Sequence, residues 1–541
     1  MSSARALSAP RAVPGWRRAS PRCLVRAAAT TSKKFAAGFD VGTQGTKCIL
    51  FDLDSHTSAG RGSYAYDLLP NPSRPNAAEQ DPETWLEGIR VTLKQALREA
   101  NADASSIVSV AVSGQQHGMV ALDSAGSVVR PAKLWCDTES APQAASISAS
   151  EAFGGWPMAA SFTASKVAWM RDEEPANFAR TETVLLPRDY VNFKLTGAVA
   201  TEAGDASGSG VFDLRSRSFD EKQCDAVDAR LRRMLPKDVL PPDAQVGVVT
   251  REASEDTGLP PGCLVATGSG DNACAAVGVG ATRPGRLVVS LGTSGTLFGA
   301  CDDPVLDVTG AIAPFCDALG GYLPLLCTLN CTRVVEEARA WAQPRGVAAA
   351  TADADAASHE ALAARARAVP PGCGGVRFLP YLVGERTPNW PEATGALLGL
   401  RPGSLADPGV AYRAAMEGAT YALRDGANAL TELGVVPPSE LVCVGGGSRS
   451  ALWRQIVADV FDAAVVRPLE PESAALGAAK NAAALAEGAA TKAYVDAFPP
   501  AFAATRETPT SRETVERYVA EHERFTEQSR ALFGGYVEPA R

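Results

Sequence analysis

The chain has 541 residues, of which 46% are apolar and 21% charged, values typical of a soluble globular protein with room for two large domains. Its formal net charge of −9 means that the chain has no excess of basic residues, which argues against nucleic acid or an anionic membrane as the main partner. No run of 18 or more apolar residues occurs, so no transmembrane helix is predicted.

The first 34 residues differ in composition from the rest of the chain. They interleave six arginines with Ser, Ala and Pro, and the first acidic residue is Asp40. An Arg-rich, Ser-rich and acid-free composition is typical of an organellar transit peptide. We therefore expect residues 1–34 to be a disordered targeting segment for a plastid, with mitochondrion or cytosol as alternatives. A basic tail with no targeting role is the other interpretation.

One short motif occurs twice, as GTQGT at residues 42–46 and as GTSGT at residues 292–296. A Gly/Thr turn between two apolar runs predicts a β-hairpin, because Gly tolerates positive φ and leaves backbone N–H groups uncovered. Such N–H groups and the Thr hydroxyls suit phosphate oxygens. The pair therefore predicts a chain of two related halves, each with a phosphate-binding turn. The flanking predicted strands are residues 35–40, 47–53, 286–291 and 297–301.

Between and beyond these hairpins, strand-like and helix-like stretches alternate, which predicts an α/β fold. Residues 81–99 carry an apolar stripe of helical spacing, and residues 107–113 read as a strand that leads into the loop GQQHGM. Residues 348–369 are Ala-rich with alternating charges and predict a solvent-facing helix without a function. Residues 513–533 predict a terminal helix that packs on the second domain.

Asp271 follows a predicted strand at residues 264–267 and opens a predicted helix that ends near residue 280. An aspartate at this place could be a routine N-cap or a general base for a hydroxyl proton, kept ionised by the helix dipole. Beside the paired hairpins, the base is favoured. The preceding glycines resemble a dinucleotide-binding turn, but the acidic residue that such a site needs about 20 positions later is missing.

A second glycine-rich turn, GGGSRS at residues 445–450, follows a predicted strand at 441–444 and precedes a helix that ends near residue 461. Three glycines let a flat adenine or ribose ring lie against the backbone. The alternative is a helix-entry turn in which strand and helix pack closely.

Asp40 closes the first predicted strand, immediately before the first glycine turn. A carboxylate beside a phosphate-binding turn predicts a Mg²⁺ site, because Mg²⁺ takes one or two carboxylates together with phosphate oxygens and water. The alternative is an aspartate that only initiates the turn. The twelve cysteines are scattered without a CxxC pair, so neither a zinc site nor a disulfide framework is predicted, and a reducing compartment fits best.

Eleven stretches, in this order, resemble the FGGY carbohydrate kinases and, within them, the xylulokinases: DVGTQGTK, GQQHGM, LWCDTES, FTASKVAW, LLPRDYVNFKLTG, SGDNACAAVGVG, SLGTSGT, FLPYLVGERTP, GALLGL, YRAAMEGATYAL and VGGGSRSALWRQIVADV. The resemblance implies two ribonuclease H-like α/β domains, of the kind found in actin, heat-shock chaperone ATPases and hexokinase, at residues 35–284 and 285–535. It further implies that ATP and Mg²⁺ bind in the cleft between the domains, where D-xylulose is phosphorylated to D-xylulose 5-phosphate.

The resemblance also assigns roles to individual residues. Asp271 is implied as the proton acceptor and as a contact of the sugar, and Asp40 as the metal-associated carboxylate. The implied sugar contacts besides Asp271 are Gln116, His117 and Asn272. The implied ATP-binding residues are Gly42, Thr43, Gly45, Thr46, Lys47, Gly292, Thr293 and Thr296 at the phosphates, and Gly446, Gly447 and Ser450 at the adenine nucleotide.

Four further side chains near these motifs receive structural interpretations. We expect Trp135 and Trp169 to be core aromatics. Glu385 is expected to form an ion pair with the neighbouring Arg386 at the rim of the cleft. These expectations assign no catalytic role to any of the four residues.

Other classes of function are less well supported. The P-loop motif GxxxxGK[ST] and the HRD and DFG motifs of protein kinases are absent from the sequence. D-ribulose, another ketose or a polyol is the main alternative acceptor. A nucleotide-dependent switch of the actin or chaperone type is the alternative from a different class. The oligomeric state stays open, with a homodimer as one expectation.

Overall fold

The computed structural model describes residues 33–343 and 358–534. The predicted targeting segment therefore lies outside the described residues except for its last two positions, and so does the first part of the helix predicted at 348–369. None of the described helices is at once long enough and apolar enough to cross a bilayer. The described cysteines are all unpaired thiols, as the sequence predicted.

The described part of the first half contains strands β1 to β15 and helices α1 to α10. The strands are β1 Phe35–Val41, β2 Gly45–Asp52, β3 Thr57–Ala65, β4 Glu79–Gln80, β5 Ile107–Gly114, β6 Val120–Leu122, β7 Ala132–Lys133, β8 Thr183–Leu185, β9 Ala200–Glu202, β10 Phe212–Asp213, β11 Ser218–Phe219, β12 Asp238–Leu240, β13 Gln245–Val248, β14 Leu264–Ala266 and β15 Ser269–Gly270. The helices are α1 Glu83–Ala100, α2 Ala141–Ser148, α3 Thr163–Glu173, α4 Pro175–Arg180, α5 Pro187–Thr196, α6 Ala203–Ala206, α7 Glu221–Val227, α8 Leu231–Met234, α9 Arg251–Thr257 and α10 Asp271–Gly278.

The described part of the second half contains strands β16 to β23 and helices α11 to α17. The strands are β16 Arg286–Leu291, β17 Gly295–Gly299, β18 Ile312–Ala313, β19 Leu325–Thr328, β20 Arg377–Leu379, β21 Ala396–Leu398, β22 Glu440–Val444 and β23 Ala464–Val466. The helices are α11 Thr332–Ala342, α12 His359–Ala368, α13 Pro408–Glu432, α14 Ala451–Phe461, α15 Ser473–Glu487, α16 Thr491–Ala497 and α17 Arg512–Phe533.

Two mixed sheets form the centre of the two halves. The first has the order β13-β14-β5-β1-β2-β3, and the second has the order β18-β19-β17-β16-β22-β23. In the first sheet, β1 pairs antiparallel with its hairpin partner β2 and parallel with β5. In the second, β16 pairs antiparallel with β17 and parallel with β22. This equivalence confirms that the repeated glycine motif marks two related α/β halves.

The helices cover these sheets with the apolar faces that the sequence predicted. Trp85, Leu86, Ile89 and Leu93 on α1 are buried against the first sheet, because residues three or four apart share one face of a helix. On the second sheet, α13 and α17 complete the core, in which Phe525 is fully buried. The terminal helix predicted at 513–533 is therefore confirmed.

Helix α15 belongs to the second half of the sequence but packs on the first sheet. The approach is close, because a Cβ atom on Gly38 of β1 would lie 2.1 Å from the carbonyl oxygen of Ala475. The helix is rich in alanine and its inner face is buried. The two halves are therefore tied together beside the carboxyl ends of β1 and β5, which is where the candidate site lies.

Candidate active site

A cavity of about 220 Å³ lies between the two halves. Thr43 reaches it from the first glycine hairpin, and Ser294 and Thr296 reach it from the second. The two repeated turns therefore face one cleft. The other residues that line this cleft cavity are Gln116, His117, Trp135, Ser161, Asp271, Asn272, Ala313, Phe315, Leu325, Cys327 and Arg386.

Asp271 is the first residue of α10 and lies at the wall of the cleft cavity. The capping position belongs to Gly270, and the Asp271 carboxylate instead accepts hydrogen bonds from the backbone N–H and side-chain amide of Asn272, at 2.7 and 2.8 Å. The N-cap interpretation is therefore wrong. Burial, with the negative charge of Asp40, raises the pKa of Asp271 to about 7, so the helix dipole does not hold this carboxyl at its usual acidity.

The backbone just before Asp271 is held by side chains of α5. Arg188 Nη1 and Asn192 Nδ2 donate to the carbonyl oxygen of Thr267, at 2.8 and 3.0 Å. Arg188 is itself buried and also donates from Nε to Asp205, at 3.1 Å. The sequence contains both donors in the stretch LLPRDYVNFKLTG, but nothing in that stretch indicates which backbone carbonyl they reach.

The predicted sugar contacts lie beside Asp271. Asn272 Nδ2 donates to Gln116 Oε1 at 3.2 Å. His117 Nδ1 lies 2.9 Å from the carbonyl oxygen of Gly208, and because a carbonyl only accepts, Nδ1 carries the proton and Nε2 is left as an acceptor. Burial lowers the pKa of His117 to about 3. The cavity wall therefore presents a neutral imidazole and two amides.

A second, wider cavity of about 1000 Å³ opens beside the first hairpin and is lined by Asp40, Gly42, Thr43, Gly45 and Lys47 among others. Ser113 donates to one oxygen of Asp40 at 3.0 Å, and burial raises the pKa of the Asp40 carboxyl. Lys47 forms an ion pair with Glu472 at 2.7 Å. Thr43 borders both cavities, so this hairpin connects them.

Not every residue of the two hairpins faces a cavity. The side chain of Thr46 is fully buried and its hydroxyl lies 3.1 Å from that of Tyr66. Thr46 therefore does not line the phosphate pocket, and the prediction for this residue is wrong. In the second hairpin, Thr293 is exposed. The carbonyl oxygens of Gly292 and Thr293 accept from backbone N–H groups at the start of α11. That turn is thereby fixed against a helix N-terminus.

A third cavity, of about 560 Å³, contains the residues predicted to bind the adenine nucleotide: Gly446, Gly447 and Ser450. A Cβ atom on Gly446 would meet nothing within 4 Å, whereas one on Gly447 would lie 2.7 Å from Leu291 Cβ. Gly446 therefore leaves open space for a ligand, as the nucleotide-binding interpretation expects. Gly447 allows the strand and helix to pack closely, as the alternative interpretation of this turn expects.

Several residues that line this third cavity come from α11, α12 and α13, and no pattern in the sequence indicates that they border a cavity. They include Glu336, His359, Arg367 and Tyr412. His359 and Arg367 lie in the stretch 348–369, for which the sequence predicts a solvent-facing helix without a function. The described part of that stretch, α12, does form a helix, but one of its faces borders a cavity.

Two structural expectations for neighbouring side chains are wrong. Trp135 is 40% exposed and donates from Nε1 to the hydroxyl of Thr43 at 2.8 Å, so it is part of the cleft wall and not a core residue. Glu385 does not pair with the Arg386 guanidinium, since its carboxylate accepts from backbone N–H groups and from Asn330. The expectation for Trp169 is confirmed, because its ring is buried.

Two groups of carboxylates could hold a cation, and the pair Asp40 and Asp271 near the first hairpin fits one better than the group of Glu79, Asp137 and Glu139 does. Asp40 raises the pKa of Asp271 by repulsion, and a hard cation with oxygen ligands would relieve such repulsion. Elsewhere in the described residues, one carboxylate oxygen from each of Glu79, Asp137 and Glu139 lies within 4.8 Å of the others, close enough to share a metal ion. Lys133 Nζ already fills that group, at 2.8 Å from Asp137 and 2.6 Å from Glu139.

Comparisons with known proteins match both halves of the chain. Residues 35–278 match the N-terminal domain of the FGGY family of carbohydrate kinases, and residues 287–486 match the C-terminal domain of that family. The sequence is 35% identical over 460 residues to a xylulose kinase of Haemophilus influenzae, with 82% of this chain and 89% of the relative covered. It is 38% identical over 462 residues to a xylulose kinase of Streptomyces rubiginosus, with 83% and 88% covered.

A solved structure agrees with the sequence relatives. The chain superposes on the crystal structure of xylulose kinase from Rhodospirillum rubrum with a TM-score of 0.81 and 27% sequence identity. The superposition covers 92% of this chain and 99% of that one. The two-domain α/β architecture described above is therefore the architecture of this relative.

Proposed function

The chain belongs to the FGGY family of carbohydrate kinases, and from that premise we propose that it transfers the γ-phosphoryl group of ATP to D-xylulose, forming D-xylulose 5-phosphate and ADP. One observation carries the proposal: both glycine hairpins and the Asp271 carboxylate line a single cavity between the two halves. Xylulose kinases among the relatives, matched over most of their length, support the choice of sugar.

Asp271 acts as the general base in this proposal. A pKa of about 7 places this carboxyl close to neutral pH, where a base is both ionised and able to take a hydroxyl proton. The acceptor hydroxyl of the sugar would lie against its free oxygen, attack phosphorus in line, and give its proton to the carboxylate. Asn272 fixes the carboxylate through two hydrogen bonds.

The remaining residues bind and orient the two substrates. Nε2 of the neutral His117 accepts a hydrogen bond from a ketose hydroxyl, and the amides of Gln116 and Asn272 contact neighbouring hydroxyls. The turns at residues 42–46 and 292–296 hold the phosphates of ATP through backbone N–H groups and through the hydroxyls of Thr43, Ser294 and Thr296, which line the cavity. Closure of the cleft around the sugar excludes water as a competing acceptor.

The adenosine part of ATP is placed in the cavity of about 560 Å³ beside Gly446, Gly447 and Ser450. Mg²⁺ would be held by Asp40 and the phosphates, and when bound it supplies neutralisation of phosphate charge. We test this by titrating MgCl₂ at fixed ATP with the wild type and with Asp40→Asn. The half-saturating Mg²⁺ concentration should rise in the variant, and an unchanged titration would contradict the assignment of Asp40.

The substrate proposal is tested by coupled ADP release from the mature protein with D-xylulose, D-ribulose, other ketoses, polyols and glycerol. We expect the largest kcat/KM with D-xylulose. A larger value for D-ribulose would overturn the choice of sugar and leave the kinase reaction intact. ADP release that no sugar stimulates would favour the nucleotide-dependent switch.

Three further proposals concern the whole chain. Residues 1–34 are proposed to direct it to a plastid, and a fluorescent fusion of these residues that stays in the cytosol or enters mitochondria would contradict this. The division at residues 35–284 and 285–535 is proposed as the domain boundary. A homodimer is proposed as the oligomeric state, which the molar mass from light scattering tests directly.

A further inference from the structure

Arg386 brings a guanidinium group into the cleft cavity from the second half of the chain, while Asp271 and Asn272 come from the first half. We propose that Arg386 binds the phosphate oxygens of the group that is transferred, first on ATP and then on the phosphorylated sugar. This inference rests on the proposed sugar kinase reaction and adds a residue to it. This role replaces the structural ion pair with Glu385 that the sequence predicts for Arg386.

The neighbouring carboxylate is not available to neutralise Arg386. Glu385 is buried, with 1% of its surface exposed. Its oxygens accept from the backbone N–H of Leu329 at 2.7 Å, from Asn330 Nδ2 at 3.2 Å and from the backbone N–H of Arg386 at 2.8 Å. Among the residues that the structure describes, no carboxylate oxygen lies within 4.0 Å of the Arg386 guanidinium.

The backbone that carries Arg386 is firmly positioned. The N–H groups and carbonyl oxygens of Glu385 and Trp390 bond to each other at 2.8 and 2.9 Å, as in a two-residue bridge. Thr387, on the other side, donates its hydroxyl to the carbonyl oxygen of Ala311 at 2.9 Å. The site therefore holds the Cα atom of Arg386 in place and leaves the side chain to face the cavity.

The described residues that line the cavity supply one cation for an anionic group, beside the one carboxyl of Asp271. Among the described residues that line it, Arg386 is the one cation, because His117 is neutral at pH 7. Lys47, beside the adjoining cavity, is paired with Glu472. A ketose is neutral and needs no full positive charge, whereas three oxygens of a transferred phosphoryl group carry charge that must be stabilised. A planar guanidinium fits two phosphate oxygens at once.

The test compares Arg386→Gln and Arg386→Lys with Arg401→Gln, a control at an exposed arginine. Steady-state kinetics give kcat and the KM for D-xylulose, and calorimetry gives the dissociation constants of D-xylulose and of D-xylulose 5-phosphate. For Arg386→Gln we expect kcat to fall by roughly 100-fold or more. Its affinity for D-xylulose should stay within about threefold of the wild type while its affinity for D-xylulose 5-phosphate falls by at least about tenfold.

Arg386→Lys should retain part of the phosphate affinity, and guanidinium ion added to Arg386→Gln should restore part of kcat, which a packing defect would not allow. The inference is overturned by an unchanged kcat, or by a loss that falls on D-xylulose binding alone. If the Gln variant does not fold, the same measurements on the Lys variant decide. If the wild type phosphorylates no sugar, the proposed function fails, and the binding of D-xylulose 5-phosphate still tests Arg386.

Discussion

Replacing Asp271 by Asn keeps the size of the side chain and removes the proposed base. General-base catalysis contributes a factor of roughly 10² to 10⁴ in rate, or about 3–5 kcal/mol of barrier, so we expect kcat to fall by that factor. The folded protein holds the Asp271 proton more tightly than the unfolded chain does, because the pKa of this carboxyl is raised to about 7. The free energy of unfolding therefore falls as the pH rises from about 4 to about 7. The unfolding midpoint of the variant at pH 8 should therefore not be lower than that of the wild type.

The assay is coupled ADP release at saturating ATP and varied D-xylulose from pH 5.5 to pH 9, which gives kcat and kcat/KM at each pH. Since burial and Asp40 raise the pKa of Asp271 to about 7, wild-type kcat/KM should rise through neutral pH. In the metal-free protein, Asp40→Asn should lower the pKa of the Asp271 carboxyl, because one source of repulsion is removed. Asp496→Asn, at an exposed position on α16, is the matched control. An Asp271→Asn variant that folds and keeps more than about a tenth of wild-type turnover would refute the role of the base.

Three other predictions concern His117, the glycine turn at residues 445–450 and the buried Arg188. His117→Phe should raise the KM for D-xylulose roughly 10- to 100-fold through loss of one buried hydrogen bond and leave the KM for ATP unchanged; equal effects on both would contradict it. Gly446→Val should fold and raise the KM for ATP, since its Cβ meets open space, whereas Gly447→Val should lower the melting temperature; the reverse pattern would misplace the nucleotide. Arg188→Met should destabilise the fold by about 3–5 kcal/mol, because Arg188 is paired with buried carboxylates, and an unchanged urea midpoint would contradict this.

Short stretches of sequence were sufficient to predict the strands, turns and helices that position the site. The glycine turns, the strand before Asp271 and the helix after it all follow from short stretches of sequence. Their backbone requirements are local, because a hairpin turn or a helix start is set by a few residues. The repetition of the motif then predicted the two related sheets, which no single element could have done.

The details that the sequence missed depend on contacts between distant segments. Thr46 and Thr43 lie in the same hairpin, but Tyr66 covers only Thr46, and the sequence does not show that. Trp135 is a large aromatic residue of the kind expected in a core, yet it forms part of the cleft wall through a hydrogen bond to Thr43. The pairing expected for Arg386 failed because buried backbone N–H groups compete for Glu385, and a buried donor without an acceptor is costly.

In the proposed reaction, the two glycine hairpins hold the phosphates of one ATP molecule across the cleft from Asp271. The most direct measurement is a crystal structure of the protein with a non-hydrolysable ATP analogue, Mg²⁺ and D-xylulose. We expect the triphosphate to lie between residues 42–46 and 292–296, with a terminal hydroxyl of the sugar within hydrogen-bond distance of the Asp271 carboxylate. A triphosphate bound away from either hairpin, or a sugar that does not reach Asp271, would contradict it.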